Sequence, residues 1–272
     1  MRPTSQLQTL PSRLLLTGKI TEHNYKQALE TNSCRYFASA VEAYVPEDSR
    51  ALVIVGDSIT DGRGSQDNKN NRWPDLVLAK MQKNPATANI AVNNQAAGGN
   101  RILADGLGPN ALGRIDRDVL AQSGVAYAMI FEGVNDIGTA ANTTAAQQMV
   151  GDRLIQAFSQ IITRVHAFGI PIFGATITPF GKNPANGTSL NAYTDPIREQ
   201  TRMRVNNWIR TSGKFDAVVD FDAILRDPAY PAQLRPSYDS GDELHPNVAG
   251  YQTLADNFPL NIFDITDANS DD

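Results

Sequence analysis

Ala51-Leu-Val-Ile-Val-Gly-Asp-Ser-Ile-Thr60 is an apolar run that breaks abruptly into a glycine, a carboxylate and a serine. Its five consecutive apolar residues, three of them β-branched, stand between Arg50 and Gly56 and predict a short strand buried on both faces, the kind found inside a parallel sheet. A strand held in that way fixes whatever leaves its C-terminal end, and open α/β sheets collect their ligands at that end. Ser58 is therefore the residue around which the rest of the chain is read.

Downstream of it, helical and strand patterns alternate. The spacing predicts a helix over 73–83 with Pro74 in its first turn, a strand over 88–92, a helix over 110–122 and a strand over 125–131. A helix over 147–168 follows, with Leu154, Ile155, Phe158, Ile161, Ile162, Val165 and Phe168 at three- and four-residue spacing and Gly169 as its stop. A strand over 170–175, a helix over 196–211, a strand over 217–221 and a helix over 247–257 complete the series. Five strands alternating with helices imply a parallel sheet with right-handed crossovers in a three-layer α/β/α sandwich. Upstream, Leu14–Leu16 and a strand-like Tyr36–Val45 stopped by Pro46 suggest a β-leaning appendage over 1–49. The main domain is expected over 50–265, and 266–272 is an acidic tail.

Composition narrows the functional classes. With 272 residues, 41% hydrophobic and 19% charged, the chain can build a large core and is not of disordered type. A net charge of -5 and the lack of a basic run argue against nucleic acid as a partner. Arg198, Arg202, Arg204 and Arg210 share one helix and read as a solvated face. No apolar run reaches the roughly 18 residues of a membrane span, so no membrane partner is expected. The single cysteine, Cys34, cannot close an intramolecular disulfide. The N-terminus lacks the apolar core of a signal peptide. Asn142-Thr-Thr and Asn186-Gly-Thr match a glycosylation pattern that an Asn-rich chain also produces by chance.

The segments that follow the strands carry the chemistry. They are Gly56-Asp57-Ser58, Asn94-Gln-Ala-Ala-Gly-Gly-Asn100, Glu132-Gly-Val-Asn-Asp136, Thr176-Ile-Thr-Pro-Phe180 and Asp239-Ser-Gly-Asp-Glu-Leu-His-Pro246. A serine hydroxyl needs a base to take its proton, and that base must be oriented by a third group. Of the three histidines, His23 lies in the appendage and His166 in a helix remote from the strand ends, which leaves His245. Asp242, three residues earlier, can accept from its Nδ1 and leave Nε2 free as the base. The backbone N–H groups of Ser58 and Gly99 and the side-chain amide of Asn135 could meet the charge that grows on a substrate carbonyl. Taken singly, these segments read as a turn, a loop and a helix cap. It is their joint occurrence at strand ends that points to nucleophilic catalysis.

Other motifs fail. Thr60 stands where the Gly-x-Ser-x-Gly elbow needs its second glycine. Gly56 to Gly64 lacks the Lys-Ser/Thr ending of a P-loop, Gly62-Arg-Gly64 lacks the third glycine of a dinucleotide fingerprint, and no zinc pattern occurs. The reading calls for no cofactor and no metal.

These blocks resemble the SGNH hydrolases, the GDSL-type esterases and lipases. Gly56-Asp-Ser-Ile-Thr-Asp-Gly62 is similar to the family's first block, Asn94 to Gly99 to its second, with Ala96 where many relatives have glycine, Gly133-Val-Asn-Asp136 to its third, and Asp242-Glu-Leu-His-Pro246 to its fifth. The resemblance runs from about Arg50 to Leu260. It implies a flavodoxin-like fold, Ser58 as nucleophile, Asp242 and His245 as its triad partners, and Ser58, Gly99 and Asn135 as the oxyanion hole. Gly62-Arg-Gly-Ser, Asn71-Arg-Trp-Pro-Asp75 and Tyr238 to Asp242 resemble the secreted microbial branch linked to polysaccharide deacetylation, which implies an extracellular location. Residues 1–45 then look like the tail of a β-rich domain that precedes the catalytic one in longer members, and a homodimer through that surface is one expectation. The expected partner is a small-molecule or oligosaccharide ester. Loops 61–72, 100–110 and 177–195, rich in Asn, Gly and Ser with Phe180, Tyr193 and nearby Trp73 as isolated aromatics, favour a short acyl group on carbohydrate. A lysophospholipase, lipase or thioesterase, and a non-catalytic carbohydrate-binding protein, stay open as alternatives.

Overall fold

The computed structural model describes residues 13–15, 42–46, 48–183, 185 and 187–265. The expectations that concern His23, Cys34, Asn186 and 266–272 lie outside the described residues, as do most of those on the appendage. What is described there is a two-stranded antiparallel pair, β1 (Arg13–Leu15) with β2 (Glu42–Tyr44).

The opening stretch forms β3 (Arg50–Gly56), in which Ala51 to Val55 are at most 1% exposed. Such burial on both faces is available only inside a covered sheet. β3 pairs in parallel on one side with β4 (Ile90–Asn94) and on the other with β5 (Val125–Phe131). β6 (Ile172–Ala175) and β7 (Ala217–Val219) extend the sheet, giving the order β4-β3-β5-β6-β7 with every pair parallel. The chain runs outward from β3 to β4 and then returns past β3 to β5. That reversal leaves a crevice at the carboxyl ends of β3 and β5, the usual ligand position in an open α/β sheet.

The helices gather in two groups that cover the sheet. α2 (Trp73–Met81) packs with α8 (Val248–Asp256), which in turn meets α7 (Phe221–Leu225). α5 (Thr144–His166) packs with α3 (Ala111–Ile115), α4 (Val134–Thr139) and α6 (Pro196–Thr211). The three-layer α/β fold is thus as the alternation implies.

Several details differ for local reasons. The apolar face of α5 buries Leu154, Phe158, Ile161, Ile162 and Val165, but Phe168 lies beyond the helix end and is 65% exposed. Gly169, at φ +69, is where the chain turns out of the helix. The expected strand over 217–221 stops at Val219, because Asp220 accepts from Ala223 N–H and starts α7. The helix over 110–122 is α3 followed by a π-helical turn, Asp116–Leu120. Arg202 is not part of a solvated face: it is 2% exposed and bonded to Glu199, Asp222 and the Ile177 carbonyl. Trp73 and Phe180 are core residues rather than loop aromatics, Trp73 lying edge-on to Phe221 at 5.1 Å. Among the described residues no helix is long and apolar enough to cross a membrane.

Candidate active site

β3 ends at Gly56, and Asp57 then leaves the strand in an extended conformation and caps the short helix α1 (Ser58–Asp61), its Oδ1 accepting from Ile59 N–H at 2.9 Å. Ser58 is the first residue of that helix. Thr60 occupies the space that explains Gly56: a methyl group on Gly56 would stand 2.5 Å from the Thr60 side chain. The serine is therefore mounted on a strand that cannot shift and a turn braced by its own neighbour.

The other arm comes from the far end of the sheet. Ser58 Oγ lies 2.8 Å from His245 Nε2, and His245 Nδ1 lies 2.7 Å from Asp242 Oδ2. Asp242 Oδ1 also accepts from the His245 backbone N–H at 2.8 Å and from Leu244 N–H at 3.1 Å, so one carboxylate holds both the ring and the loop that carries it. Glu243 permits this tight loop by adopting φ +61. The Asp239 to Pro246 bridge closes the loop, and Asn247 caps α8 directly after it. Burial pulls the His245 imidazole below its ordinary pKa against the pull of Asp242, and nearby Arg63 adds to the lowering. Burial alone would raise Asp242, but the hydrogen bonds from His245 outweigh it and hold the carboxyl below its ordinary value. At neutral pH this leaves a neutral imidazole with its proton fixed on Nδ1 and Nε2 as acceptor for the serine.

The second strand end is tied to the first. Ala97 N–H bonds to the Gly56 carbonyl at 3.0 Å, and Gly98 lies against Asp61 of α1. Gly99 adopts φ +72, which a residue with a side chain rarely does, and the side chain of Leu107 packs over it. Asn135 stands in the first turn of α4, after β5, and its Nδ2 donates to the Asn100 carbonyl at 2.9 Å. Its Oδ1 accepts from the Tyr193 hydroxyl at 3.1 Å. Ser58, Gly99, Asn135, Asp242 and His245 are thus all borne by the carboxyl-end loops, and the serine, histidine and aspartate form one hydrogen-bonded chain. His166 is elsewhere, on the surface, paired with Asp216.

Beneath these residues lies a group whose clustering sequence reasoning did not show. Asp57, Glu132 and Asp136 are buried carboxyls, and Arg114 is a buried guanidinium. Arg114 bonds to the Gln95 carbonyl at 2.5 Å, to Asn100 Oδ1 at 2.9 Å and to Asp118 at 2.9 Å. Asp136 accepts from Ile102 N–H and Leu103 N–H. Both oxygens of Glu132 are sealed without a hydrogen-bond partner among the described residues, 3.7 Å from Arg114 at the nearest. Burial raises all three carboxyls, Asp57 to about 7 and Glu132 well above its ordinary range, with the Asp57 charge adding to the latter. The available signal was position: Glu132 immediately follows β5, and Asp136 closes the third block within α4.

The model of the GDSL-like lipase/acylhydrolase family matches residues 52–258. The chain belongs to that family. It is accordingly an ester hydrolase, as the strand-end residues imply. No curated protein matches this acylhydrolase. Among solved structures it is similar to Axe2, an acetylxylan esterase from Geobacillus stearothermophilus, at 21% identity and TM-score 0.56, covering 81% of this chain and 97% of that one. It is also similar to a GDSL-like lipase from Bacteroides thetaiotaomicron VPI-5482 at 17% identity and TM-score 0.55, over 89% and 98% of the two chains. At these identities the likeness is one of fold.

Proposed function

We propose that this acylhydrolase removes short acyl groups, acetyl on carbohydrate foremost, through a covalent acyl-serine intermediate. The observation that carries the reading is the unbroken chain Ser58 Oγ, His245 Nε2 and Nδ1, Asp242 Oδ2, with steps of 2.8 and 2.7 Å. Ser58 Oγ adds to the ester carbonyl as His245 Nε2 takes its proton. The oxyanion accepts from Ser58 N–H, Gly99 N–H and Asn135 Nδ2. As the carbonyl re-forms, the C–O bond to the alcohol breaks and His245 returns the proton to the departing oxygen. Water repeats the sequence on the acyl-enzyme, giving the free acid and restoring Ser58.

The short acyl group and the sugar rest on the polar character of loops 61–72, 100–110 and 177–195 and on the likeness to an acetylxylan esterase. The burial of Trp73 and Phe180 removes two aromatics from that argument. One observation favours a longer acyl chain instead: Leu107, packed over Gly99, is 87% exposed and offers apolar surface beside the reacting centre.

A fluorophosphonate probe at neutral pH is expected to label wild type at Ser58 and to leave Ser58→Ala unlabelled. An intact serine that resists the probe would remove the enzyme reading. Aryl esters from acetyl to octanoyl, assayed beside acetylated xylo-oligosaccharides, decide the acyl group. Activity that climbs steadily with chain length would assign the lipase or thioesterase alternative. Asn135→Ala is expected to lower kcat by about 10²–10³ as the loss of an oxyanion donor, and Ser58→Ala or His245→Ala by about 10⁶.

A further inference from the structure

An amide serves as an oxyanion donor only if its nitrogen, not its oxygen, faces the substrate. An asparagine side chain has two orientations of nearly equal shape, so something must choose between them. Two neighbours fix Asn135, one selecting the orientation and the other holding it. The Asn100 backbone carbonyl can only accept, and it lies 2.9 Å from Nδ2. The Tyr193 hydroxyl stands 3.1 Å from Oδ1 and must donate to it. Turning the amide over would set two carbonyl oxygens against each other, whereas the Tyr193 hydroxyl accepts from an N–H as readily as it donates to an oxygen, so the Asn100 carbonyl selects the orientation and Tyr193 holds the amide in it. Asn100 is itself fastened, since its side chain accepts from Arg114 and donates to the Pro109 carbonyl.

We propose that Tyr193 is a positioning residue for the oxyanion hole: its hydroxyl, by donating to Asn135 Oδ1, holds the amide with one Nδ2–H on Asn100 and the other kept for the oxyanion. The inference rests on the acyl-transfer reading of the site. Tyr193 comes from the loop before α6, and among the described residues of that loop it is the one hydrogen-bonded to Asn135. The fold makes room for it: a methyl on Gly138, one turn after Asn135 in α4, would stand 2.2 Å from the Tyr193 ring. Phe180 supports the ring from another side, edge-on at 6.4 Å. Burial raises the tyrosine's pKa, with Asp57 adding to the effect, so the hydroxyl keeps the proton it donates across the working pH range. A hydrogen bond accepted at the amide oxygen also polarises the N–H groups and makes them better donors.

The test is Tyr193→Phe, which removes one oxygen and keeps the ring. With an aryl acetate substrate, kcat is expected to fall about tenfold while KM stays within about twofold, because the lost interaction acts in the transition state. In an Asn135→Ala background the same substitution should change kcat by less than about twofold, since there is no amide left to orient. Gly138→Ala, which displaces the ring without altering it, should reproduce the loss in wild type and add little to Tyr193→Phe. Two outcomes overturn the inference alone, with wild type labelled and active: kcat unchanged in Tyr193→Phe, or the same fold-loss in the Asn135→Ala background. A rise in KM at constant kcat also overturns it and makes Tyr193 a substrate contact. A wild type that resists the fluorophosphonate overturns the acyl-transfer reading, and this inference with it.

Discussion

His245 must be neutral to accept the serine proton, so the acid limb of the rate profile reports its ionisation. Burial holds that imidazole below the ordinary value of about 6.5, so kcat/KM is expected to stay near its maximum down to weakly acidic pH and to fall by half only below 6.5. Asp242 is the main force acting the other way. Asp242→Asn should therefore move the acid limb to still lower pH while cutting kcat by about 10⁴, the cost of losing the orienting carboxylate. A stopped-assay pH series on both proteins checks the two effects together, and a limb that moves upward would contradict the assignment. At this scale the sequence was informative where chemistry needs a particular side chain. A lone Asp-x-x-His could be paired with a serine 187 residues away because few other bases exist in the chain. Tyr193 gave no such signal: a tyrosine in a polar loop acquires its role only when folding sets it against Asn135.

At the scale of elements, the carboxyl ends of β3 and β5 bring three buried acids together over one guanidinium. Glu132, directly after β5, takes up a proton more readily when folded than when unfolded. The native state therefore binds more protons than the unfolded chain above the ordinary glutamate value, and stability drains away as pH rises through that window. Glu132→Gln abolishes this titration. Its melting temperature should match wild type near pH 5 and exceed it by a few degrees at pH 8, measured by calorimetry. The loop after α1 is fitted just as closely to its neighbour. Gly64 sits at φ +93, and a methyl carbon on it would stand 2.2 Å from the Pro246 carbonyl oxygen, a backbone atom with no rotamer to escape into. Gly64→Ala must push the loop off the segment bearing His245, and kcat on an aryl acetate is expected to drop by about tenfold or more. Periodicity exposed the long helices and the strands, but not α1, α4 or α7, whose four to six residues are too few to show a period. Of these short pieces α1 and α7 start at side-chain caps, Asp57 and Asp220, which were visible only as polar residues in loops, and α4 starts after Gly133 with no side-chain cap.

For the whole molecule, alternation of strand and helix was enough to state a five-stranded parallel sheet, because a parallel pair needs a crossover and the crossovers were the helices. The strand order was not legible, since it depends on which sheet edge each crossover chooses. The site residues and their supports lie between β3 and α8. A chain beginning at Glu42 is accordingly expected to hydrolyse aryl acetate at the full-length kcat, with any loss confined to thermal stability; a drop in kcat would give the preceding segment a place in catalysis. The first strand of that sheet carries the serine and the loop after the last carries the histidine, so a single 2.8 Å hydrogen bond joins residues 58 and 245. During synthesis the protein is consequently inert until its whole sheet has left the ribosome. A stalled chain that ends before this loop keeps Ser58 but lacks its base, together with α8 and the buried Tyr251, Leu254 and Phe258, so catalytic turnover doubles as a certificate that synthesis passed the histidine.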